Sequence, residues 1–252
     1  MRSRGGRPRT LSIDIGGSGL KASILDARGR MTAPRRRIPT PARCTPATLM
    51  RALDELIAGL PAFDRVSVGF PGVVRDNVII TAPRFQKHFP VRFPLARALR
   101  RRWGKPVRIV NDADMQGLAA ARGKGLELVV TLGTGIGTAL FLDGTLLPHL
   151  ELAMHPCLGA RTYDNAVGDA ALQRIGRRAW NARAKRALEM LRTIVNYDRL
   201  YVGGGNAKKL TFTLPHMRRV SNRAGILGGI ALWTPLKPRR HVAARTARSP
   251  RR

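Results

Sequence analysis

The sequence predicts an α/β protein with two similar halves. In the first half, the apolar strand pattern of Leu11–Ile15 ends at a glycine-rich turn, and a second strand pattern follows. The segment Glu127–Leu147 repeats this order of strand, glycine turn and strand. Further strand patterns alternate with segments of helical apolar spacing, which is typical of an α/β fold. A chain of 252 residues is long enough for one large domain or two lobes, each with its own core.

The net charge of +31 arises from 46 Lys and Arg residues against 15 Asp and Glu residues. Four arginines lie in residues 1–9 and seven Lys or Arg residues in 236–252. We predict that both basic ends are disordered and flank an N-terminal α/β lobe of residues 10–110 and a C-terminal α/β lobe of residues 111–235. The positive field attracts polyanions such as nucleic acid, polyphosphate or anionic lipid without selecting one of them. A solvated arginine surface that reflects coding bias is the alternative.

Cysteine usage and hydropathy indicate a reducing, aqueous compartment. Cys44 and Cys157 are far apart and belong to no CxxC pair, which argues against a disulfide scaffold or a cysteine-built zinc site. No apolar run reaches the length of about 18 residues that a membrane helix needs, and the basic N-terminus leads into a strand pattern. We therefore expect a soluble, cytoplasmic protein with free thiols and no membrane contact.

The elements of the first half follow from local patterns. The first hairpin turns at Asp26–Gly29, where turn-forming residues separate two apolar runs. Thr45-Pro46 is a suitable helix start, and leucines recur after it at helical spacing. The predicted elements are then a helix over Pro46–Leu60, a strand over Arg65–Val74 interrupted by Gly69-Phe70-Pro71-Gly72, and a helix over Pro94–Trp103.

In the second half, a short apolar strand ends at Val110. The motif Asn111-Asp112-Ala113-Asp114 follows it, where the pattern changes from strand to helix. The predicted elements after this motif are a helix over Met115–Gly123, the second hairpin with its turn at Gly133–Thr138, helices over Tyr163–Gly176 and Arg177–Asn196, a strand from Arg199 into a third glycine-rich turn, and a helix over Ala224–Leu232.

The turn after the first strand has the composition of a phosphate-binding loop. Its candidate residues are Asp14, Gly16, Gly17, Ser18, Gly19 and Lys21. Glycines let backbone N–H groups approach an anion, the serine adds a hydroxyl and the lysine a positive charge. The aspartate can hold a metal ion such as Mg²⁺, directly or through water.

A single glycine turn is often only structural, but this chain has three in one order. They are the first glycine turn (Gly16–Gly19), the second glycine turn (Gly133–Thr138) and the third glycine turn (Gly203–Asn206). Together they indicate a phosphate site. The chain lacks the GxxxxGK[ST] run of a P-loop and the βαβ continuation of a dinucleotide fingerprint, so neither of these site types is predicted.

Several segments together resemble the ROK family (repressors, open reading frames, sugar kinases). They are LSIDIGGSGLKASILD, VGFPGVV, VNDADMQGLAAARGKG, LVVTLGTGIGTALFLDG, YVGGGNAKK and AGILGGIAL, and they are most similar to the polyphosphate-dependent glucokinase branch. The likeness extends from Leu11 to Trp233. It implies an actin-like ATPase (ribonuclease H-like) fold, with two α/β lobes and a central cleft, and a homodimer. The implied reaction is phosphoryl transfer from ATP or polyphosphate to the 6-hydroxyl of glucose, as in glycolysis, with Mg²⁺ and without structural zinc.

Phosphoryl transfer needs a hydroxyl nucleophile, a base that accepts its proton, and donors around the transferred group. We predict Asp112 as this base because the preceding strand would fix it rigidly at the cleft edge; a helix cap is its alternative role. The resemblance implies that Asn111 contacts sugar hydroxyls, and we predict that Asp114 caps the helix. Gly72 would belong to the sugar-side surface of the cleft, or to a simple turn.

Glu151 resembles the acidic sugar ligand of the family, but the residues after it depart from the family pattern. Members usually read E-L-G-H, whereas this chain reads Glu151-Leu152-Ala153-Met154-His155. Met154 therefore stands where a sugar-contacting histidine is expected. His155 either replaces that histidine after a small backbone shift or points elsewhere.

On the donor side, the residues expected to approach the phosphate chain are Gly133, Thr134, Gly135 and Thr138. Gly204 and Asn206 would line a nucleoside pocket if ATP binds. A polyphosphate chain could follow a basic groove that leads away from the cleft. The candidate groove residues are Lys21, Arg84, Lys87, Lys208 and Lys209.

These observations predict a glucokinase that uses polyphosphate, ATP or both. The alternative is a catalytically impaired ROK-like protein that binds a sugar or a polyanion such as nucleic acid, which the charge and Met154 favour. A regulator of this family would carry a helix-turn-helix segment before the kinase-like body, and we expect none before Leu11. No specific nucleic acid is predicted as a partner.

Overall fold

Two five-stranded sheets form the framework of the computed structural model, which describes residues 7–85, 88–221 and 223–234. The first sheet has the order β3 (Arg36–Ile38), β2 (Leu20–Leu25), β1 (Thr10–Ile15), β4 (Arg65–Phe70), β7 (Val107–Asn111). The second has the order β10 (Thr145–Leu146), β9 (Ile136–Leu142), β8 (Leu126–Leu132), β13 (Arg199–Gly203), β14 (Met217–Arg219). Two short hairpins complete the strands: β5 (Val74–Arg75) with β6 (Val78–Ile79), and β11 (Pro156–Leu158) with β12 (Arg161–Thr162).

The two large sheets have the same internal topology. β1 pairs antiparallel with β2 and parallel with β4, while β8 pairs antiparallel with β9 and parallel with β13. Each central strand therefore belongs to a hairpin on one side and a parallel pair on the other. The predicted α/β class and the repeat of a hairpin with a glycine turn at its tip are confirmed.

The helices cover the sheets and build a separate core for each. They are α1 (Pro46–Ile57), α2 (Leu95–Trp103), α3 (Asp112–Ala120), α4 (Tyr163–Val167), α5 (Asp169–Val195) and α6 (Ala224–Leu227), with 3-10 turns at Leu152–Met154, Ala207–Lys209 and Gly228–Trp233. In the first core, Leu49, Leu53 and Leu56 of α1 pack against the first sheet. In the second core, the fully buried Trp180 of α5 packs among residues of the second sheet. No helix in the described ranges is both long and apolar enough to span a membrane.

Two predicted helices differ from the structure. The helix expected over Tyr163–Gly176 breaks at Gly168, because the chain there lies against the second glycine turn: a Cβ at Gly168 would come within 2.9 Å of the Thr134 carbonyl oxygen. The break that was predicted at Gly176 is present, with φ at +75°. The helix expected over Ala224–Leu232 is α-helical only to Leu227 and continues as a 3-10 turn.

The last described segment, 224–233, returns to the first sheet. The Ser12 hydroxyl donates to Ile226 O at 2.7 Å, and the Ser67 hydroxyl donates to Gly229 O at 2.6 Å. Gly228 makes the close approach possible, since a Cβ there would lie 1.6 Å from the Met115 carbonyl oxygen. The lobe division at residue 110 and the disorder expected of residues 1–9 and 236–252 stay predictions, and residues 1–6 and 236–252 lie outside the described residues.

Candidate active site

The first and second glycine turns face each other across a cleft of about 490 Å³. The Thr134 hydroxyl lies 3.3 Å from the Ser18 hydroxyl, which brings the two turns into contact. The predicted site residues that line the cleft are Asp14, Gly16, Gly17, Ser18, Gly19, Lys21, Gly72, Asn111, Asp112, Gly133, Thr134, Gly135, Glu151 and Gly204. Those that do not line it are Thr138, His155 and Asn206.

The first glycine turn is closed by its own backbone, since the Gly16 N–H donates to Gly19 O at 3.0 Å. The flanking residues Asp14 and Lys21 are register partners on β1 and β2, and their side chains form an ion pair at 2.7 Å. The Arg37 side chain covers the same turn, because a Cβ at Gly19 would meet its guanidinium at 2.9 Å. This end of the cleft therefore presents backbone amides together with positive side chains, which suits a phosphate.

The second glycine turn is fixed from behind by the residues around it. The Gly133 N–H donates to Gly135 O at 2.8 Å, and Asn206 Nδ2 donates to Gly133 O at 3.1 Å. Gly204 has φ of +87° and approaches Leu132 so closely that a Cβ would lie 2.3 Å from its carbonyl oxygen. Asn206 therefore supports the turn from outside the cleft.

An ion pair joins the two halves at the edge of the cleft. Arg84 donates to the Asp164 carboxylate at 2.5 Å, and the same carboxylate oxygen accepts the Ile136 N–H at 3.1 Å. The pair lies beside Gly135, where an added Cβ would overlap both side chains. Arg84, which was predicted only as a groove residue, thus lies beside the first and second glycine turns.

Asp112 lines the same cleft as the two glycine turns and lies at the first position of α3, with part of its side chain accessible. Burial is the main cause that raises the pKa of its carboxyl, the nearby Asp14 carboxylate adds to the rise, and the result is about 7. The Ala113 N–H and the charge of His149 oppose this rise. A carboxyl with this pKa gains and loses a proton near neutral pH.

The helix cap at this junction is Asn111, not Asp114 as predicted. Asn111 Oδ1 accepts the N–H groups of Ala113 and Asp114 at 2.7 and 3.3 Å. Its Nδ2 donates to Gly72 O at 3.0 Å, which connects the strand-to-helix junction to the turn at Gly72. The cap therefore also sets the position of the cleft surface next to Asp112.

Asp114 contacts a histidine that the sequence did not single out. His149 Nδ1 lies 3.1 Å from Asp114 Oδ1, and His149 Nε2 lies 3.9 Å from Glu151 Oε2. The contact joins residues 35 positions apart, and the only local signal was a histidine two positions before Glu151. Met154 lines the cleft and is 51% exposed, whereas His155 lies outside it and packs near Tyr163.

Further cleft residues also escaped sequence reasoning. They are Arg35, Arg37, Gln116 and Asp164. Gln116 Nε2 is buried and finds no hydrogen-bond partner in the described part of the chain, so it is free for a ligand oxygen. Of the predicted groove residues, Lys21 and Arg84 line the cleft, Lys208 and Lys209 do not, and Lys87 lies outside the described residues.

The donor set of the cleft fits Mg²⁺ that arrives with a phosphate chain. Within residues 7–85, 88–221 and 223–234, no group of three or more His, Cys, Asp or Glu side chains could hold a metal ion alone. Mg²⁺ is typically bound by one or two carboxylates together with substrate phosphates and water. Asp14 and Asp112 line the same cleft and are close enough for the charge of Asp14 to raise the pKa of Asp112.

Comparison with known proteins places these features in a family. Residues 10–149 match the model of the ROK family. A polyphosphate glucokinase of Mycobacterium tuberculosis is 30% identical over 236 residues, which cover 86% of this chain and 88% of the relative. An N-acetylmannosamine kinase of Escherichia coli is 35% identical over 143 residues, which cover 55% of this chain and 49% of the relative.

A solved structure shows the same architecture. The inorganic polyphosphate/ATP-glucomannokinase of Arthrobacter sp. strain KM superposes with a TM-score of 0.79 at 30% identity, over 90% of this chain and 99% of that one. The expected actin-like ATPase fold, with two α/β lobes and a central cleft, is thereby confirmed. The chain belongs to the ROK family.

Proposed function

We propose that this protein is a sugar kinase that transfers a phosphoryl group from polyphosphate, ATP or both to the 6-hydroxyl of glucose. The observation that carries the proposal is that Asp112, whose carboxyl has a pKa of about 7, lines the same cleft as two glycine turns whose composition suits phosphate. The similarity to a polyphosphate glucokinase and to a polyphosphate/ATP-glucomannokinase supports it.

In the proposed reaction, Asp112 is the general base. Its ionised carboxylate accepts the proton of the sugar 6-hydroxyl as that oxygen bonds to the terminal phosphorus of the donor. The bond between this phosphorus and the bridging oxygen breaks, and ADP or a polyphosphate one phosphate shorter leaves. The N–H groups of the first and second glycine turns, with Lys21 and Arg84, bind the phosphate oxygens in line with the attack. Bound Mg²⁺, which Asp14 would hold directly or through water, would neutralise charge on the donor phosphates.

The donor side of the cleft suits a chain of phosphates. Among the residues that the structure describes, four cationic side chains line it: Lys21, Arg35, Arg37 and Arg84. Repeated phosphate groups need such repeated positive contacts, and guanidinium groups bind phosphate oxygens in pairs. The third glycine turn lines the same cleft through Gly204 and Gly205, which leaves room for a nucleotide donor as well.

On the sugar side, Glu151 and the surface around Gly72 would contact a hexose, and both line the cleft. Glucose is the first candidate because of the relatives named above, and mannose and N-acetylmannosamine are its competitors. We also expect a homodimer, which light scattering of the purified protein would test.

The experiment is a set of initial rates with polyphosphate and with ATP against glucose, mannose and N-acetylmannosamine, in the presence of Mg²⁺. We expect hexose phosphate to form most rapidly with glucose and at least one of the donors. A flat result across all donors and sugars would contradict the proposal. Hexose binding or salt-sensitive DNA binding without turnover would then favour the impaired, binding-only alternative, which Met154 on the sugar side motivates.

A further inference from the structure

A buried trio of ionisable side chains lies behind the sugar side of the cleft. It consists of Asp114 on α3, His149 in the loop after β10, and Glu151 at the start of the following 3-10 turn. The side chains of His149 and Asp114 are only 4% and 6% exposed, whereas that of Glu151 is 28% exposed and reaches the cleft. The trio therefore extends from the protein interior to the sugar side of the cleft.

Two atoms of this trio have unused hydrogen-bonding capacity. His149 Nε2 and Glu151 Oε2 are buried and find no hydrogen-bond partner among the residues that the structure describes. They are 3.9 Å apart, which is too far for a good hydrogen bond and close enough for one to form after a small movement. Unpaired buried polar atoms cost free energy, so a ligand whose binding brings these two atoms into hydrogen-bond distance gains affinity.

The surroundings of His149 favour its charged form beside Glu151. Burial disfavours the imidazolium form of His149, but the hydrogen bond with Asp114 and the negative charges of Asp114 and Glu151 outweigh it and raise the pKa of His149 to about 9. At neutral pH the histidine is therefore a cation between two carboxylates. An ionised carboxylate accepts hydrogen bonds at both oxygens, which suits neighbouring sugar hydroxyls.

We propose that His149, anchored by Asp114, is a positioning residue that holds the Glu151 carboxylate in the orientation that accepts hydroxyls of the sugar. This inference rests on the proposed sugar kinase function. Met154, which lies on the same side of the cleft, offers no hydrogen-bond donor, and His155 lies outside the cleft. In this region it is therefore His149 that lies next to a carboxylate of the cleft, that of Glu151.

The test is a double-mutant cycle on His149→Gln and Glu151→Gln, with the KM for the sugar and the KM for the donor measured separately. His149→Gln should raise the sugar KM about 10-fold and leave the donor KM within about twofold, because it removes the cation that faces Glu151 on the sugar side. Since His149 acts through Glu151, the double variant should be no worse than Glu151→Gln. His88→Gln, an exposed histidine outside the cleft, is the matched control and should behave as wild type.

Unchanged sugar KM in His149→Gln, or effects that multiply in the double variant, would overturn the inference while the sugar kinase function stands. A wild-type protein that phosphorylates no hexose would instead remove the function on which it rests. Thermal unfolding reports whether each variant folds. If His149→Gln does not fold, the same cycle is run with Asp114→Asn. An effect of Asp114→Asn on the sugar KM that disappears in the Glu151→Gln background supports the inference. An additive effect overturns it.

Discussion

The phosphate side and the sugar side of the cleft are built in different ways. The proposed phosphate side consists of two hairpin turns, and each turn is closed by backbone hydrogen bonds between neighbouring residues, such as Gly133 N to Gly135 O. On the sugar side, contacts join side chains that are distant in sequence, such as Asp114 and His149. A site made from local backbone is visible in a sequence, and one made from distant side chains is not.

The largest effect is expected where the two sides meet. Asp112→Asn keeps the shape of the side chain but removes the base, so kcat should fall by about 10²–10⁴-fold with little change in either KM. Asp143→Asn is a suitable control, because Asp143 is exposed in the turn after β9. Steady-state kinetics on both variants make the measurement. An Asp112→Asn enzyme as active as wild type would remove Asp112 from the mechanism.

The phosphate side can be tested alone through Gly133. A Cβ added there meets no atom within 4 Å, so Gly133→Ala should leave the unfolding temperature unchanged. If the donor passes over this turn, the methyl group occupies its path, and the donor KM should rise about 10-fold while the sugar KM stays constant. This is the reverse of the pattern expected for His149→Gln. A rise in the sugar KM instead would show that the two sides are not separate.

The pH dependence connects the two sides. Since burial and Asp14 raise the pKa of Asp112 to about 7, and the base acts when ionised, kcat/KM should fall about tenfold per pH unit below pH 7 and level off above it. The charge of His149 lowers the pKa of Asp112, so in His149→Gln the fall should begin at higher pH. A profile that stays flat between pH 5 and 8 would exclude a base with this pKa.

The smallest effect is expected at Met154. Met154 is half exposed and lines the sugar side, so Met154→His adds a hydrogen-bond donor to the cleft. We expect the sugar KM to fall by about 2- to 5-fold, as one additional hydrogen bond provides. The measurement is the sugar KM of Met154→His beside that of His155→Gln. A larger change of the sugar KM in His155→Gln than in Met154→His would show that His155 contacts the sugar.

The regular elements and the glycine turns could be predicted because their signals are local. Leucine spacing in α1, the alternation in β1 and the turn at Gly16–Gly19 each depend on residues within a few positions of one another. The end of the predicted helix at Gly168 could not be predicted, because it results from contact with the second glycine turn, 30 residues earlier in the chain. Asp114 illustrates the same limit: its place near a helix start predicted a cap, but Asn111 caps the helix and Asp114 instead contacts His149, 35 residues away.

The proposed activity is tested most directly by ³¹P NMR of the products formed from glucose with polyphosphate and with ATP. The expected result with wild-type protein is a new phosphomonoester on O6 of glucose, formed with at least one donor and almost absent with Asp112→Asn. Release of inorganic phosphate without a sugar ester, or ester formation that is equal in both proteins, would contradict a glucokinase in which Asp112 is the base.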